Sequence, residues 1–294
     1  MIRRTTGIIL LAASSLAAGD EPHKAPDVVR VEVAGAGRPM LLLPGVGCSG
    51  AVWNDTVAHF KDRYECHSFT FAGFGGLPPI EGRYLPKYRD AVIAYVKTKN
   101  LKKPVIVGHS VGGLLAYAVA AAIPDDVGAV IVVDAALWSP AVLMPGMKMD
   151  DARKQAAFFR KRLRDLKPQQ FAEQMNKLLP PDTKVQDSGK RAVVNGMNAA
   201  SHIPTCVDVM CEILTTDLRG EAKKIKAPVL VMIAGAAQQS NDEQDAKRER
   251  WEAHLKPIAN CRVVMAVKAN HFIPLDDPEF AHRTMDDFLG EKGR

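Results

Sequence analysis

Between Val105 and Ala120 the chain reads VIVGHSVGGLLAYAVA, an apolar β-branched run that passes through a glycine-bracketed turn into an alanine-rich, helix-forming run. Only a strand feeding a helix through a sharp bend accommodates that order of residues. Gly108 and Gly112 lie two positions before and two after Ser110. A serine held in so tight a bend takes a strained backbone conformation, and side chains at the bracketing positions would crowd it. The hydroxyl then stands above the sheet, and the start of the helix behind it supplies backbone N–H groups and a positive dipole end. Gly-x-Ser-x-Gly placed between a strand and a helix is the pattern of a serine presented for nucleophilic attack.

The rest of the chain supplies the sheet into which such a bend fits. Short apolar runs are expected as buried strands at 28–33, 39–45, 66–73, 104–108, 127–135, 227–235 and 261–267. Helical patterns fall between them, at 51–60, 88–96, 111–122, 242–255 and 278–289. Asp277 before Pro278 gives the last helix a good start. Strands alternating with helices imply an α/β fold with a parallel sheet covered on both faces.

Residues 136–226 interrupt this rhythm. They are rich in helix formers with apolar residues at helical spacing, as in Phe158, Phe159, Leu163 and Leu166, and too long for a bare loop. They are expected as a helical insertion over the strand ends, dividing a core of 20–135 and 227–294. The apolar start of the insertion, LWSPAVLMPGM, has two readings: a lining for an apolar substrate, or Trp138, Leu143, Met144 and Met147 packing the insertion onto the sheet.

Composition narrows the partners. With 294 residues and 47% hydrophobic residues the chain is long enough for a large core. The net charge of +6 is spread along the sequence, which argues against a nucleic-acid surface. The densest basic stretch, Arg160 to Lys167, alternates with leucines as a solvated helix face does. Residues 1–19 carry Arg3 and Arg4, a short apolar centre and a small-residue end, the pattern of a secretory signal peptide. The apolar part of that stretch is too short to span a bilayer as a mature helix, so the expectation is a periplasmic or secreted protein without stable membrane insertion. Cys48, Cys66, Cys206, Cys211 and Cys261 form an odd set, and five residues along a helix separate the side chains of Cys206 and Cys211. Most are expected as buried small hydrophobes, and no spacing suggests a metal site.

A serine hydroxyl needs a base at neutral pH. His271, in VKANHFIPLDDPEF after a late strand, stands where that base is required. His109 adjoins Ser110 and is read as structural; His202, His254 and His282 lie on helices or in the insertion and are read as surface residues, and Asp276 as a helix-entry residue.

The segments LLLPGVG, FAGFGG, GHSVGG, APVLVMIAG and NHFIPLDDPEF, in this order, resemble the α/β-hydrolase fold superfamily over nearly everything after the leader. TFAGFGG with TTDLR is similar to a group of bacterial hydrolases of undefined substrate. The resemblance implies an eight-stranded, mostly parallel sheet with helices on both faces, a helical cap, and the chain order Ser, acid, His. Three positions depart from the family. Pro44-Gly45 replaces the usual His-Gly, which leaves the Val46 amide to join that of Val111 as an oxyanion hole, since no side chain is needed. Thr70 replaces a frequent Asp, with a local effect only. Gln238 stands where members carry the acid after the seventh strand, and Gln cannot stabilise an imidazolium.

Other members take the acid from the end of the sixth strand, where Asp134 closes VIVVD; a buried aspartate there needs a partner, and His271 would provide one. Asp242, with Asp245 behind it, is the second candidate, and Asp134 otherwise caps the loop into the insertion. The combined reading is a serine hydrolase acting on small-molecule carboxylic esters with an apolar acyl part, needing neither metal nor organic cofactor. Two alternatives remain at this level. One is a ligand-binding protein of this fold with vestigial turnover. The other is the same residues acting on amide, lactone or carbon–carbon bonds or transferring acyl groups.

Overall fold

The computed structural model describes residues 27–178, 181–236 and 239–290. The leader expected at 1–19 lies outside them, as does Gln238. In chain order the elements are β1 (Val29–Ala34), β2 (Arg38–Leu43), α1 (Asn54–Phe60), β3 (Tyr64–Phe71), α2 (Tyr84–Thr98), β4 (Val105–His109), α3 (Val111–Ala122) and β5 (Ala129–Val133). There follow α4 (Ser139–Leu143), α5 (Met149–Leu163), α6 (Pro168–Leu178), α7 (Ser188–Ala199) and α8 (Ile203–Thr215), all within the expected insertion. The chain then returns to the sheet with β6 (Val229–Ala234), α9 (Asn241–Leu255), β7 (Cys261–Ala266), α10 (Ile273–Asp276) and α11 (Pro278–Leu289).

The strands lie in the order β1-β3-β2-β4-β5-β6-β7. β1 runs antiparallel to β3, and every other pairing is parallel. The described residues thus form a sheet of seven strands, where the resemblance implied eight: β1 is the edge, and no further described segment pairs with it.

Side chains alternate across a strand, and here both sets are buried. Leu41, Leu43, Ile106, Val130, Val132, Val229 and Val231 enter a core with Tyr88 and Val92 of α2, Leu115 of α3 and Trp251 of α9. Met40, Leu42, Val105, Val107, Ile131, Leu230 and Met232 enter a second core with Phe60 of α1 and Ala281 and Met285 of α11. Covering both faces explains why these strands read as unbroken apolar runs.

The insertion has a small core of its own, in which Ala156 and Leu163 of α5 pack on Ile203, Val207 and Cys211 of α8, with Phe159 and Leu166 against them. Phe158 points outward. Trp138 is buried; its Nε1 donates to the Leu214 carbonyl at 2.9 Å within the insertion, and its backbone N–H donates to His254 of α9 at 3.2 Å, which fastens the insertion to the core, whereas Leu143 is exposed. One buried carboxylate fixes α8 against the sheet layer. Glu212 accepts the Tyr84 N–H at 3.0 Å and the Leu85 N–H at 2.8 Å, on the first turn of α2, where no local side chain caps the helix. α2 therefore begins at Tyr84, ahead of the expected residue 88. Removing the carboxylate leaves two buried amides unpaired, so Glu212→Ala is expected to lower unfolding free energy by about 2–4 kcal/mol. Urea titration should show a lower midpoint with unchanged slope.

Candidate active site

Ser110 occupies the bend between β4 and α3 with φ 54° and ψ −120°, a region that L-residues rarely occupy. Its backbone is held from both sides. The Ser110 N–H donates to the Val133 carbonyl at 3.0 Å, and the Ser110 carbonyl accepts from Gly113 at 2.9 Å and Leu114 at 3.1 Å. A Cβ at Gly108 would be driven into the Gly112 carbonyl, and one at Gly112 into the carbonyls of Leu43 and Pro44. The glycine bracket is thus a packing requirement imposed by the bend and by β2 beside it. Val111 is the first residue of α3, so its amide has no carbonyl one turn back to bond.

Asp134 follows β5 directly, and β4 and β5 are paired in register with His109 opposite Val133. Ser110 and Asp134 therefore stand side by side at the carboxyl ends of adjacent strands. Asp134 also has a positive φ of 48°, and its amide donates to the Met232 carbonyl at 2.8 Å. One carboxylate oxygen accepts the Ala234 N–H at 3.0 Å, and the other lies 2.6 Å from His271 Nδ1. Burial opposes its charge, but the His271 hydrogen bond, electrostatic attraction to His271 and Lys247 and the Ala234 amide outweigh it and hold the carboxyl below the usual aspartate value. A carboxylate only accepts, so Nδ1 carries the proton of the neutral ring and Nε2 keeps its lone pair. Of the two acids considered, Asp134 meets His271. Asp242 is exposed in the first turn of α9, and Asp245 pairs with Arg248 at 2.6 Å.

His109 is buried beneath this pair. Its Nε2–H donates to the His271 carbonyl at 3.0 Å, and the two ring centroids are 4.6 Å apart. Gly45 lies against the same imidazole, where a Cβ would crowd Nδ1 and the Ser110 Cβ. Pro44-Gly45 leads into a turn closed by Cys48 N–H to the Gly45 carbonyl at 3.2 Å, with the half-buried Val46 at its corner. The Val46 segment and Ser110 are thus brought to the same end of the sheet. The insertion closes on this turn: Ser201 Oγ donates to the Gly47 carbonyl at 2.9 Å and accepts the Gly75 N–H at 2.8 Å, while Asn198 of α7 packs against Gly47. Neither Ser201 nor Asn198 carried any sequence signal, because their partners lie in loops far away along the chain. Thr70 has the local role expected, accepting the Gly50 N–H at 2.9 Å.

Several other polar residues depart from expectation. His254 is half-buried and accepts the Trp138 N–H at 3.2 Å; burial pushes its pKa down to about 4. His282 stacks on His59 with centroids 4.5 Å apart and is pushed down to about 4 by burial and by His59. Both rings are half-buried, whereas His202 is exposed as expected. Asp276 does not open a helix; it accepts the amides of Asn270 and Gln186, and Asp277 caps α11. All five cysteines are free thiols. Among the described residues no cluster of three or more His, Cys, Asp or Glu suited to a metal ion occurs, and no helix is long and apolar enough to cross a membrane.

A mostly parallel sheet thus carries a strained serine at the end of β4 and an Asp–His pair at the end of the adjacent β5. The chain belongs to the alpha/beta hydrolase family, whose profile matches residues 40–283. It is similar to the pimeloyl-[acyl-carrier protein] methyl ester esterase of Aeromonas hydrophila, 35% identical over 107 residues, which are 36% of this chain and 41% of that protein. The corresponding esterase of Aliivibrio salmonicida is 29% identical over 102 residues, 35% of this chain and 38% of that one. The chain thus aligns with less than half the length of these relatives. Among solved structures, a thermophilic esterase from Thermogutta terrifontis superposes with a TM-score of 0.70 at 20% identity, covering 90% of this chain and 93% of that one. An enol-lactonase from Burkholderia xenovorans gives 0.63 at 19% identity, covering 90% and 96%. At these identities the superpositions establish the fold.

Burial, and then the neighbouring His271, push the His109 pKa from 6.5 down to about 3. The unfolded chain takes up that proton near pH 6.5 and the native protein does not, so stability falls with acidification across this window. His109 alone contributes a slope of about 1.4 kcal/mol per pH unit. His109→Gln is expected to flatten the fall in unfolding free energy between about pH 6 and pH 4 by that amount, measured by denaturant titration across pH.

Proposed function

We propose that this protein is a serine hydrolase that cleaves small carboxylic esters through an acyl-enzyme. The observation that carries the reading is the 2.6 Å hydrogen bond between Asp134 and His271 Nδ1, made next to the strained bend that bears Ser110. In the proposed cycle Ser110 Oγ attacks the ester carbonyl carbon as its proton passes to His271 Nε2. The oxyanion of the tetrahedral intermediate is received by the Val46 and Val111 amides. Asp134 keeps the ring in the required tautomer and stabilises the imidazolium. His271 then returns the proton to the departing alcohol oxygen, leaving the acyl group on Ser110. Water attacks this acyl carbon, giving a proton to His271 that is passed back to Ser110 Oγ as the carboxylic acid leaves.

The named activities of the similar proteins, an ester hydrolase and an enol-lactonase, support an acyl–oxygen bond as the one cleaved. The leader pattern at 1–19 supports action outside the cytoplasm. An activated serine reacts with a fluorophosphonate and turns over p-nitrophenyl esters. Ser110→Ala is expected to lose labelling and at least about 1,000-fold in kcat while keeping its fold. Asp134→Asn should retain Ser110 and lose about 100- to 10,000-fold in kcat. Absence of labelling in folded wild-type protein contradicts the reading and favours a ligand-binding role; retained turnover in Ser110→Ala rejects Ser110 as the nucleophile.

A further inference from the structure

The loop carrying His271 runs from Lys268 to Phe272, between β7 and α10, and much of its hydrogen bonding is made with the insertion. The His271 N–H itself donates to the Asp182 carbonyl at 2.8 Å. Asn270 Nδ2 donates to the Lys184 carbonyl at 2.9 Å, and Gln186 Nε2 donates to the Lys268 carbonyl at 2.6 Å. Residues 182–186 therefore form a strap along this loop. Arg191 of α7 holds the strap from behind, donating to the carbonyls of Val185 at 2.8 Å and Gln186 at 2.6 Å.

Both sides of the strap meet at one carboxylate. Asp276 accepts the Asn270 N–H on one oxygen at 2.9 Å and the Gln186 N–H on the other at 2.7 Å. The first bond fixes the residue before His271, and the second fixes the insertion. We propose that Asp276 is a positioning residue, clamping the insertion to the His271 loop so that the imidazole is held in its reactive place. The proposal rests on the serine hydrolase reading of Ser110 and His271. Burial raises the Asp276 carboxyl above its ordinary value despite these two amides and the charges of Lys190 and Arg191. Such a placement is unfavourable for the carboxylate on its own, and the two amides offset it. Asn at this position can accept one amide but turns an NH2 group toward the other, so one side of the clamp opens.

The test is steady-state ester hydrolysis and fluorophosphonate labelling of wild-type protein, Asp276→Asn and Asn270→Ala, with folding checked by thermal melting. Misplacing a base by about 1 Å costs on the order of 100-fold in rate. Asp276→Asn is expected to lower kcat and the labelling rate of Ser110 about 10- to 100-fold while KM changes less than about two-fold. Asn270→Ala, which loses one strap bond, should shift kcat in the same direction by a smaller factor, and it decides the matter if Asp276→Asn does not fold. Unchanged kcat in the folded variant, or a change confined to KM, overturns the positioning role. Failure of wild-type protein to label or turn over strikes the underlying hydrolase reading instead, so the two failures are separable.

Discussion

The bond between Asp134 and His271 is the constraint on which the rest of the site depends. An aspartate at the end of a central strand of an apolar sheet is costly to bury unless its charge is met. Here the Ala234 amide and the His271 ring meet it from two sides. In satisfying Asp134 the imidazole is brought over the strand ends, 137 residues along the chain from its partner, and its tautomer is set at the same stroke. Ser110 needs no separate positioning: β4 pairs with β5, so its bend sits beside Asp134 by sheet register.

Around this pair the protein stores local strain and disperses it into packing. Ser110 and Asp134 both take positive φ, and each has its amide bonded to a carbonyl of the neighbouring strand. Gly45, Gly108 and Gly112 remove the side chains that would collide with the bend, and His109 fills the space beneath as a neutral ring tied to the His271 backbone. The insertion is also part of the arrangement. It contacts the Val46 turn through Ser201 and Asn198, and the His271 loop through residues 182–186, so both loops flanking Ser110 are braced by the same segment.

The sheet was legible because its strands are buried on both faces, which makes runs such as VLVMIA unbroken in sequence, and because the glycine bracket around Ser110 has a steric cause that local sequence reveals. Asp134 was legible from the resemblance, which implies an acid at the end of the sixth strand, with an electrostatic reason beside it: a charge closing an apolar strand demands a partner. What sequence could not show depends on contacts between distant segments. The first turn of α2 is set by Glu212, 128 residues away, and the clamp on Asn270 by a carboxylate whose other partner, Gln186, is 90 residues off. His254 and His282 were read as surface residues because that is the default for a histidine on a helix, yet contacts with Trp138 and His59 leave them half-buried. The strand count implied by family likeness exceeded the seven found among the described residues, since likeness in motif carries no information about the sheet edge.

The most direct test is proton NMR of the ring proton shared between His271 Nδ1 and Asp134. A short hydrogen bond to a buried carboxylate moves this resonance far downfield and shields it from exchange with solvent. The account predicts one such signal in the wild-type protein, lost in both His271→Ala and Asp134→Asn and retained in Ser110→Ala. A folded wild-type protein without the signal, or one in which it survives Asp134→Asn, would contradict the pairing from which the site is built.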